Sequence, residues 1–239
     1  MTTAAQQAIG EADVIVGYQT YLRLIAHLAP DTPRQSSGMG QEVARVGRAI
    51  DLAADGQHVA LVSGGDAGVY GMAGLVYEVL HVGETIDSPQ AVVVEVIPGV
   101  SALNAAAALL GAPLMTDFCA ISLSDQLVPL DEILDRVELA ARGDFVIGLY
   151  NPKSRRRTEP FRRACEILVR HRPSETPVGI VRAAYREGQQ VTLTSLSDLA
   201  QADVDMVTTV VVGNDRTYVA QGKMVTRRGY ATKYDLEAA

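Results

Sequence analysis

The chain has 239 residues, 48% of them hydrophobic and 21% charged, with 21 glycines and a formal net charge of -7. That is apolar material enough for one large α/β unit or for two of roughly 100 to 150 residues, and it excludes a disordered chain. The acidic balance opposes any global attraction to nucleic acid or to an anionic membrane, so no such partner is expected and a basic site must be local.

Cys119 and Cys165 lie far apart, and His27, His58, His81 and His171 are equally scattered. No pair has ligand spacing, so no metal is expected and the cysteines are read as small core residues. The opening MTTAAQQAIGEAD lacks the order of a signal peptide, and no apolar run approaches the ~18 residues of a membrane span. The expected location is the cytoplasm.

In chain order, helix signals cover Thr3 to Ala12, then a strand Val14 to Gly17, then helices Tyr18 to Ala29 and Gln41 to Asp55. A strand His58 to Ser63, a helix Tyr70 to His81, a strand Val92 to Ile97 and a helix Ser101 to Leu110 follow. Val- and Ile-rich runs alternating with helical stretches give an α/β class with buried strands. Gly111 to Asp117 breaks the pattern with Gly and Pro and is read as a linker, which divides the chain into domains 1–112 and 113–239. Beyond it come a strand Cys119 to Leu123, a helix Leu130 to Ala141, a strand Phe145 to Tyr150 and a helix Thr158 to His171. Strands Val178 to Arg182, Val191 to Ser195 and Thr208 to Gly213 have short connections, which suggests a mixed sheet.

The segment Ser63-Gly-Gly-Asp-Ala-Gly-Val-Tyr-Gly-Met-Ala-Gly74 carries the most chemistry. Its glycines let backbone approach a ligand at a strand-to-helix turn, whose helix start offers N–H groups. The spacing is not that of a GxGxxG dinucleotide loop. Asp66 either accepts hydrogen bonds from a ligand or caps the helix that follows; the residues alone leave both open. A second loop, Val96-Ile-Pro-Gly-Val-Ser-Ala102, repeats the logic, and two such loops at adjacent strand ends form a crevice of the kind that binds ligands.

Together with LYNPKS and TTVVVG, these motifs resemble the tetrapyrrole methylase family over nearly the whole chain, and GDAGVYGMAGLV with YNPKSRRRT resembles its branch that methylates precorrin-3B at C-17 with ring contraction. The resemblance implies two α/β domains with a cleft between them for S-adenosyl-L-methionine, which leaves as S-adenosyl-L-homocysteine, and usually a homodimer. It implies cofactor contacts at Gly65, Asp66, Val69, Ser101, Ala102, Tyr150, Asn151, Arg182, Ala183, Thr208, Thr209 and Val210. The family begins with a strand and a GxGPGD loop that this sequence lacks before its first helix, so the first strand of domain 1 is expected to be missing. Methylation at another ring position, a cobalt-bearing acceptor and a non-catalytic tetrapyrrole-binding protein stay open as alternatives.

Tyr18 stands where a related uroporphyrinogen methyltransferase has its acid/base residue, which makes it the candidate proton-handling group, against a plain packing role beside Tyr21. Lys153, Arg155 and Arg157 form a basic run that suits the carboxylates of a precorrin, although a charge run is more often a solvated surface.

Overall fold

A computed structural model describes residues 1–82 and 92–235. The chain falls into two compact units, Met1–Ser101 and Ala102–Ala239.

In the first unit, Thr2 caps helix α1 (Thr3–Gly10) by accepting the Ala5 N–H at 3.2 Å, and its hydroxyl donates to the Pro98 carbonyl at 2.9 Å. Strand β1 (Val14–Tyr18), helix α2 (Gln19–Leu24), strand β2 (Arg34–Ser37), helix α3 (Glu42–Ala54), strand β3 (Val59–Val62) and helix α4 (Ala73–Val82) follow. The sheet is parallel, in the order β2-β1-β3. Central β1 is covered on both faces because successive side chains alternate. Ile15 packs with Ile9, Leu22 and Ile25, whereas Val14 and Val16 pack with Ala49 and Leu52 of α3.

Two expectations change here, and one strand is new. The helix expected over Tyr18 to Ala29 ends at Leu24, and the Arg34 guanidinium donates to the carbonyls of Ala26, Ala29 and Pro30 just beyond it. Polar β2, unforeseen, is a strand because it pairs with β1 from Ile15↔Arg34 to Tyr18↔Ser37. Residues 92–97, expected as a strand, form none. Their β-branched side chains favour an extended chain, but a strand also needs a ladder partner.

The second unit contains α5 (Ala102–Leu110), β4 (Gly111–Ala112), β5 (Phe118–Ser122), α6 (Leu130–Arg142), β6 (Val146–Tyr150) and α7 (Glu159–His171). Strands β7 (Pro177–Arg182), β8 (Gln190–Ser195), β9 (Thr208–Val212), β10 (Thr217–Ala220) and β11 (Lys223–Thr226) complete it. Its main sheet runs β5-β6-β9-β7-β8, parallel between β5 and β6 and antiparallel elsewhere. Helices α6 and α7 cover one face through Ile133, Val137, Phe161 and Leu168, and α5 covers the other through Leu103 and Leu110. Cys165 is part of this core, and burial pushes its thiol up to about 12. Within the Gly111 to Asp117 segment, Gly111 and Ala112 pair with Met224 and Val225 as a short parallel strand.

At the amino end of β6 the buried Arg172 guanidinium donates to the Gly213 and Phe145 carbonyls. Beside it, burial and then hydrogen bonding with Asp215 hold the Asp144 carboxyl above the usual carboxylate range. Among the described residues no helix is long and apolar enough to cross a membrane.

Candidate active site

In the first unit both glycine-containing loops are tied together by one carboxylate. Asp66 Oδ1 accepts the Gly68 N–H at 2.8 Å within its own loop, and Oδ2 accepts the Gly99 N–H of the second loop at 2.9 Å. Asp66 is therefore a brace between loops. The helix after this loop starts later, at Ala73, whose N–H goes to the Ala67 carbonyl at 3.0 Å, so Asp66 does not cap it. A methyl on Gly99 would lie 2.0 Å from the Gly65 oxygen, so the loops touch through bare backbone, and Gly65 has a φ of +74°. Tyr70 also takes a positive φ, 52°, and Val69 is partly exposed beside it. Ser101 ends the unit, half-buried.

Tyr18 closes β1 in register with Ser37 of β2, at the carboxyl end of the parallel sheet. Its ring meets Tyr21 edge-on at 5.5 Å, so the stacking and the strand-end position occur together. The Tyr21 ring in turn lies against Gly64, where a methyl would be 2.6 Å from Cζ. The guanidinium of Arg45 stands 5.9 Å from the Tyr18 ring centre. Nothing in the sequence singled out Arg45, which hides in an amphipathic helix as one charge among several.

In the second unit the sheet gathers the remaining candidates at one end. The carboxyl ends of β5, β6 and β7 and the amino end of β9 share it, as the pairings Ser122↔Tyr150 and Arg182↔Thr208 require. The Tyr150 hydroxyl accepts the Leu103 N–H at 2.9 Å, satisfying a donor in the first turn of α5, which Ala102 opens. Asn151 has a φ of 52° and donates from Nδ2 to Ser122 Oγ at 2.9 Å. Ala183 has a φ of 48°, and its N–H goes to the Val207 carbonyl. Non-glycine residues in this region are strained, and strain of this kind concentrates at functional sites. Thr209 is buried, and Val210 lies fully inside the sheet, paired with Leu149 and Ile180.

Asp205, which sequence reasoning missed, organises this end. It accepts Arg182 Nε at 2.9 Å, the Thr208 hydroxyl at 2.7 Å and the Val207 N–H at 3.0 Å. Burial would raise its carboxyl, but the hydrogen bonds from Thr208, Arg182 and Val207 outweigh burial and hold it below the usual range. The signal was present as an Asp three residues before a strand-opening Thr, a local side-chain-to-backbone turn pattern.

The basic run is divided. Lys153 Nζ donates to the Ala202 carbonyl at 3.3 Å and stands 4.8 Å from the Phe161 ring centre. Arg157 donates to the carbonyls of Leu123 and Asn151 and faces Asp125 at 3.8 Å. Arg155 and Arg156 are exposed, while Arg162 and Arg163 pair with Glu159, Glu166 and Asp131.

Residues 1–200 match the family described as Tetrapyrrole (Corrin/Porphyrin) Methylases. The chain is 49% identical over 236 residues to a cobalt-factor III methyltransferase of Priestia megaterium, covering 99% of this chain but 44% of that protein's length. It is 47% identical to the probable cobalt-factor III C(17)-methyltransferase of Salmonella typhimurium, covering 96% of this chain and 93% of that one. A precorrin-3B C(17)-methyltransferase of a Sinorhizobium species is 39% identical over 92% of this chain and 86% of its own. Among solved structures, the methyltransferase CobJ superposes with a TM-score of 0.87 at 35% identity, covering 95% of this chain and 93% of that one. A Thermus thermophilus uroporphyrin-III C-methyl transferase complexed with S-adenyl homocysteine shares the fold at a TM-score of 0.67 and 23% identity, covering 89% and 90%.

Proposed function

The chain belongs to the tetrapyrrole methylase family and is a methyltransferase; from that premise we propose that it methylates C-17 of a precorrin-3B-level macrocycle in cobalamin biosynthesis, with ring contraction. The cobalt-bearing acceptor, cobalt-factor III, is the favoured form, since four relatives named for it are 41 to 49% identical against 39% for one named for precorrin-3B. Cobalt is here part of the substrate. The observation that carries the cofactor side of the reading is the Asp66 brace, which joins the two glycine-containing loops into one backbone-lined surface.

The available groups fit S-adenosylmethionine. In the first unit they are backbone amides and carbonyls around Gly65, Asp66, Val69 and Ser101; in the second they are the Ala102 backbone, the Asn151 amide and the Thr209 hydroxyl, since the Thr208 hydroxyl is engaged with Asp205. These are hydrogen-bonding partners for a nucleoside and an amino-acid group, on loops where glycine leaves the backbone accessible. When bound, the cofactor supplies an activated sulfonium methyl. Little acid/base work is then required of the protein beyond orientation and water exclusion. Asn151 and Ala183 hold their strand ends in positive-φ turns that aim backbone at the ligand, and Arg182 is fixed by Asp205. Tyr18 carries the proton handling that contraction requires. Arg155, exposed beyond the end of β6, meets a substrate carboxylate.

The working enzyme is read as a cytoplasmic homodimer, which sedimentation of the purified protein tests. The chemistry is tested by incubating the protein with S-adenosylmethionine and either cobalt-factor III or precorrin-3B, then locating the new methyl by NMR. A methyl at C-17 with faster turnover of the cobalt form is expected. A methyl at another carbon, or macrocycle binding without transfer, overturns the reading. Tyr18→Phe should lower kcat more than it raises KM, because the ring contacts survive while the hydroxyl is lost; an unchanged kcat returns Tyr18 to packing.

A further inference from the structure

We infer that Arg45 is a positioning residue that ties the exits of β1 and β2 to the start of α4, and so sets where Tyr18 stands for the reaction. The catalytic half of this inference rests on the methyltransferase reading above; the structural half does not.

Arg45 lies on α3, on the same side as the core residues Val46, Ala49 and Leu52, and is only 5% exposed. Among the described residues no carboxylate pairs with it. A buried cation without a counter-charge is costly, and an apolar side chain would suit a core-facing helix position better. What Arg45 offers instead is a rigid fork of donors. Nε donates to Ser37 Oγ at 2.6 Å and Nη2 to the Gly38 carbonyl at 2.7 Å, both at the exit of β2. Nη1 reaches Met72 Sδ at 3.8 Å, where the glycine loop after β3 enters α4. The guanidinium also stands over the ring of Tyr18, at the exit of β1, within the range of a cation–π contact. One planar group thus contacts the exits of β1 and β2 and the residue before α4.

The loop after β2 is secured a second time by the first turn of α3. Gln41 Oε1 accepts the Gly38 N–H at 2.8 Å and Glu42 Oε1 accepts the Gly40 N–H at 3.0 Å. Between them Gly40 turns with a φ of +79° and Met39 projects, 72% exposed. A loop so thoroughly fastened around an exposed thioether is a built feature at the end of a parallel sheet, where ligands of open α/β sheets bind. A lysine could keep the charge of Arg45 but satisfy only one of the three directions.

The test compares wild type with Arg45→Lys and Arg45→Met, each alone and combined with Tyr18→Phe. Amide hydrogen exchange, which needs no turnover, should show protection at Ser37 to Gln41 and around Met72 falling together by about tenfold or more in Arg45→Met, with α1 and the Val14 to Val16 part of β1 unchanged. Unchanged protection, or a uniform loss across the unit, overturns the lock. With cobalt-factor III as acceptor, Arg45→Met should lower kcat by roughly 10- to 100-fold while its KM and the S-adenosylhomocysteine affinity move by less than about fivefold, and Arg45→Lys should restore part of kcat. Adding Tyr18→Phe to Arg45→Met should cost less than it does in wild type, since the two act through one position. Full additivity, or a kcat loss matched by loss of folded protein, refutes the positioning role. If wild type methylates neither macrocycle while the exchange result holds, the C-17 reading fails and the lock stands.

Discussion

The two units hold themselves together in different ways. In the second, β6 and β9 are buried along their whole length and one large cluster spans both helices and four strands. In the first, only β1 is sealed, β3 is half-exposed throughout, and the apolar clusters on either side of the sheet are small. The first unit depends more on polar fastening, with Asp66 between loops, Thr2 on Pro98 and Arg45 tying the β1 and β2 exits to Met72. The contrast teaches that the hydrophobic effect sets the stability of one unit, whereas directional bonds fix the shape of the other. Local stability should differ accordingly.

The comparison is broken most severely in the second unit's core. Phe161 is fully buried between α7 and the sheet, and Phe161→Ala should cost about 3 to 5 kcal/mol, a large part of the roughly 5 to 15 kcal/mol a domain has. Val62→Ala, in the half-buried β3, should cost about 1 kcal/mol or less. Urea unfolding of both variants reads the difference; equal losses would mean that the two cores are alike after all.

Next come changes to the fastenings. Gly99→Ala forces a methyl into the Gly65 carbonyl, an overpacking worth about 1 to 3 kcal/mol, and should reduce S-adenosylhomocysteine affinity at least tenfold by calorimetry. Arg157→Gln should cost about 1 to 3 kcal/mol by leaving the Leu123 and Asn151 carbonyls short of a donor. Wild-type melting temperature in Arg157→Gln would show that water replaces the guanidinium.

Much of this was legible in advance. Val14 to Gly17, Phe145 to Tyr150 and Thr208 to Gly213 read as strands because buried strands are continuous apolar runs, and they are. Asp66 was visible as a polar residue on a glycine-rich loop, but its second partner, Gly99, lies 33 residues along and only folding brings it near. Strand β2 was invisible because Arg-Gln-Ser-Ser has no apolar signature; its neighbour makes it a strand. The β10–β11 hairpin was missed although Gln221 and Gly222 both take positive φ, the turn that an X-Gly pair between short β-prone runs announces. In the basic run the charges could be read and their partners could not, since hydrogen-bonded carbonyls carry no sequence mark.

Acid sharpens the comparison more gently, because the two shifted aspartates among the described residues belong to the second unit. The Asp144 carboxyl is raised, so the folded form binds a proton first, and stability is gained as pH falls from neutrality through that raised pKa. The Asp205 carboxyl is lowered, so its contribution is complete above the usual carboxylate pKa and is lost only as pH falls through the depressed value. Thermal unfolding against pH should therefore show the second unit holding or gaining stability before it declines. Asp144→Asn should remove the gain and, since Asn tolerates the residue's φ of 54°, be neutral or mildly stabilising at pH 7. A simple decline from neutrality in wild type would contradict the sign at Asp144.

The smallest effect is expected at Arg155, and it separates substrate binding from fastening. Lys153 and Arg157 have their donors turned onto protein carbonyls, so neither is placed to greet a carboxylate without first breaking a bond that the fold uses. Arg155 lies in the same turn and is exposed. Removing it sacrifices no internal contact, and Arg155→Gln should leave melting temperature and S-adenosylhomocysteine affinity at their wild-type values. An exposed charge pair contributes only about 0.2 to 1 kcal/mol and is screened by salt. The expected result is thus a rise in KM for the polycarboxylate macrocycle of roughly two- to fivefold at low ionic strength, with kcat unchanged. Added salt should shrink the gap between variant and wild type, because screening weakens the same contact that the substitution deletes. A KM equal to that of wild type at low salt would leave Arg155 a solvated surface charge, and the macrocycle's carboxylates would have to be met by other residues.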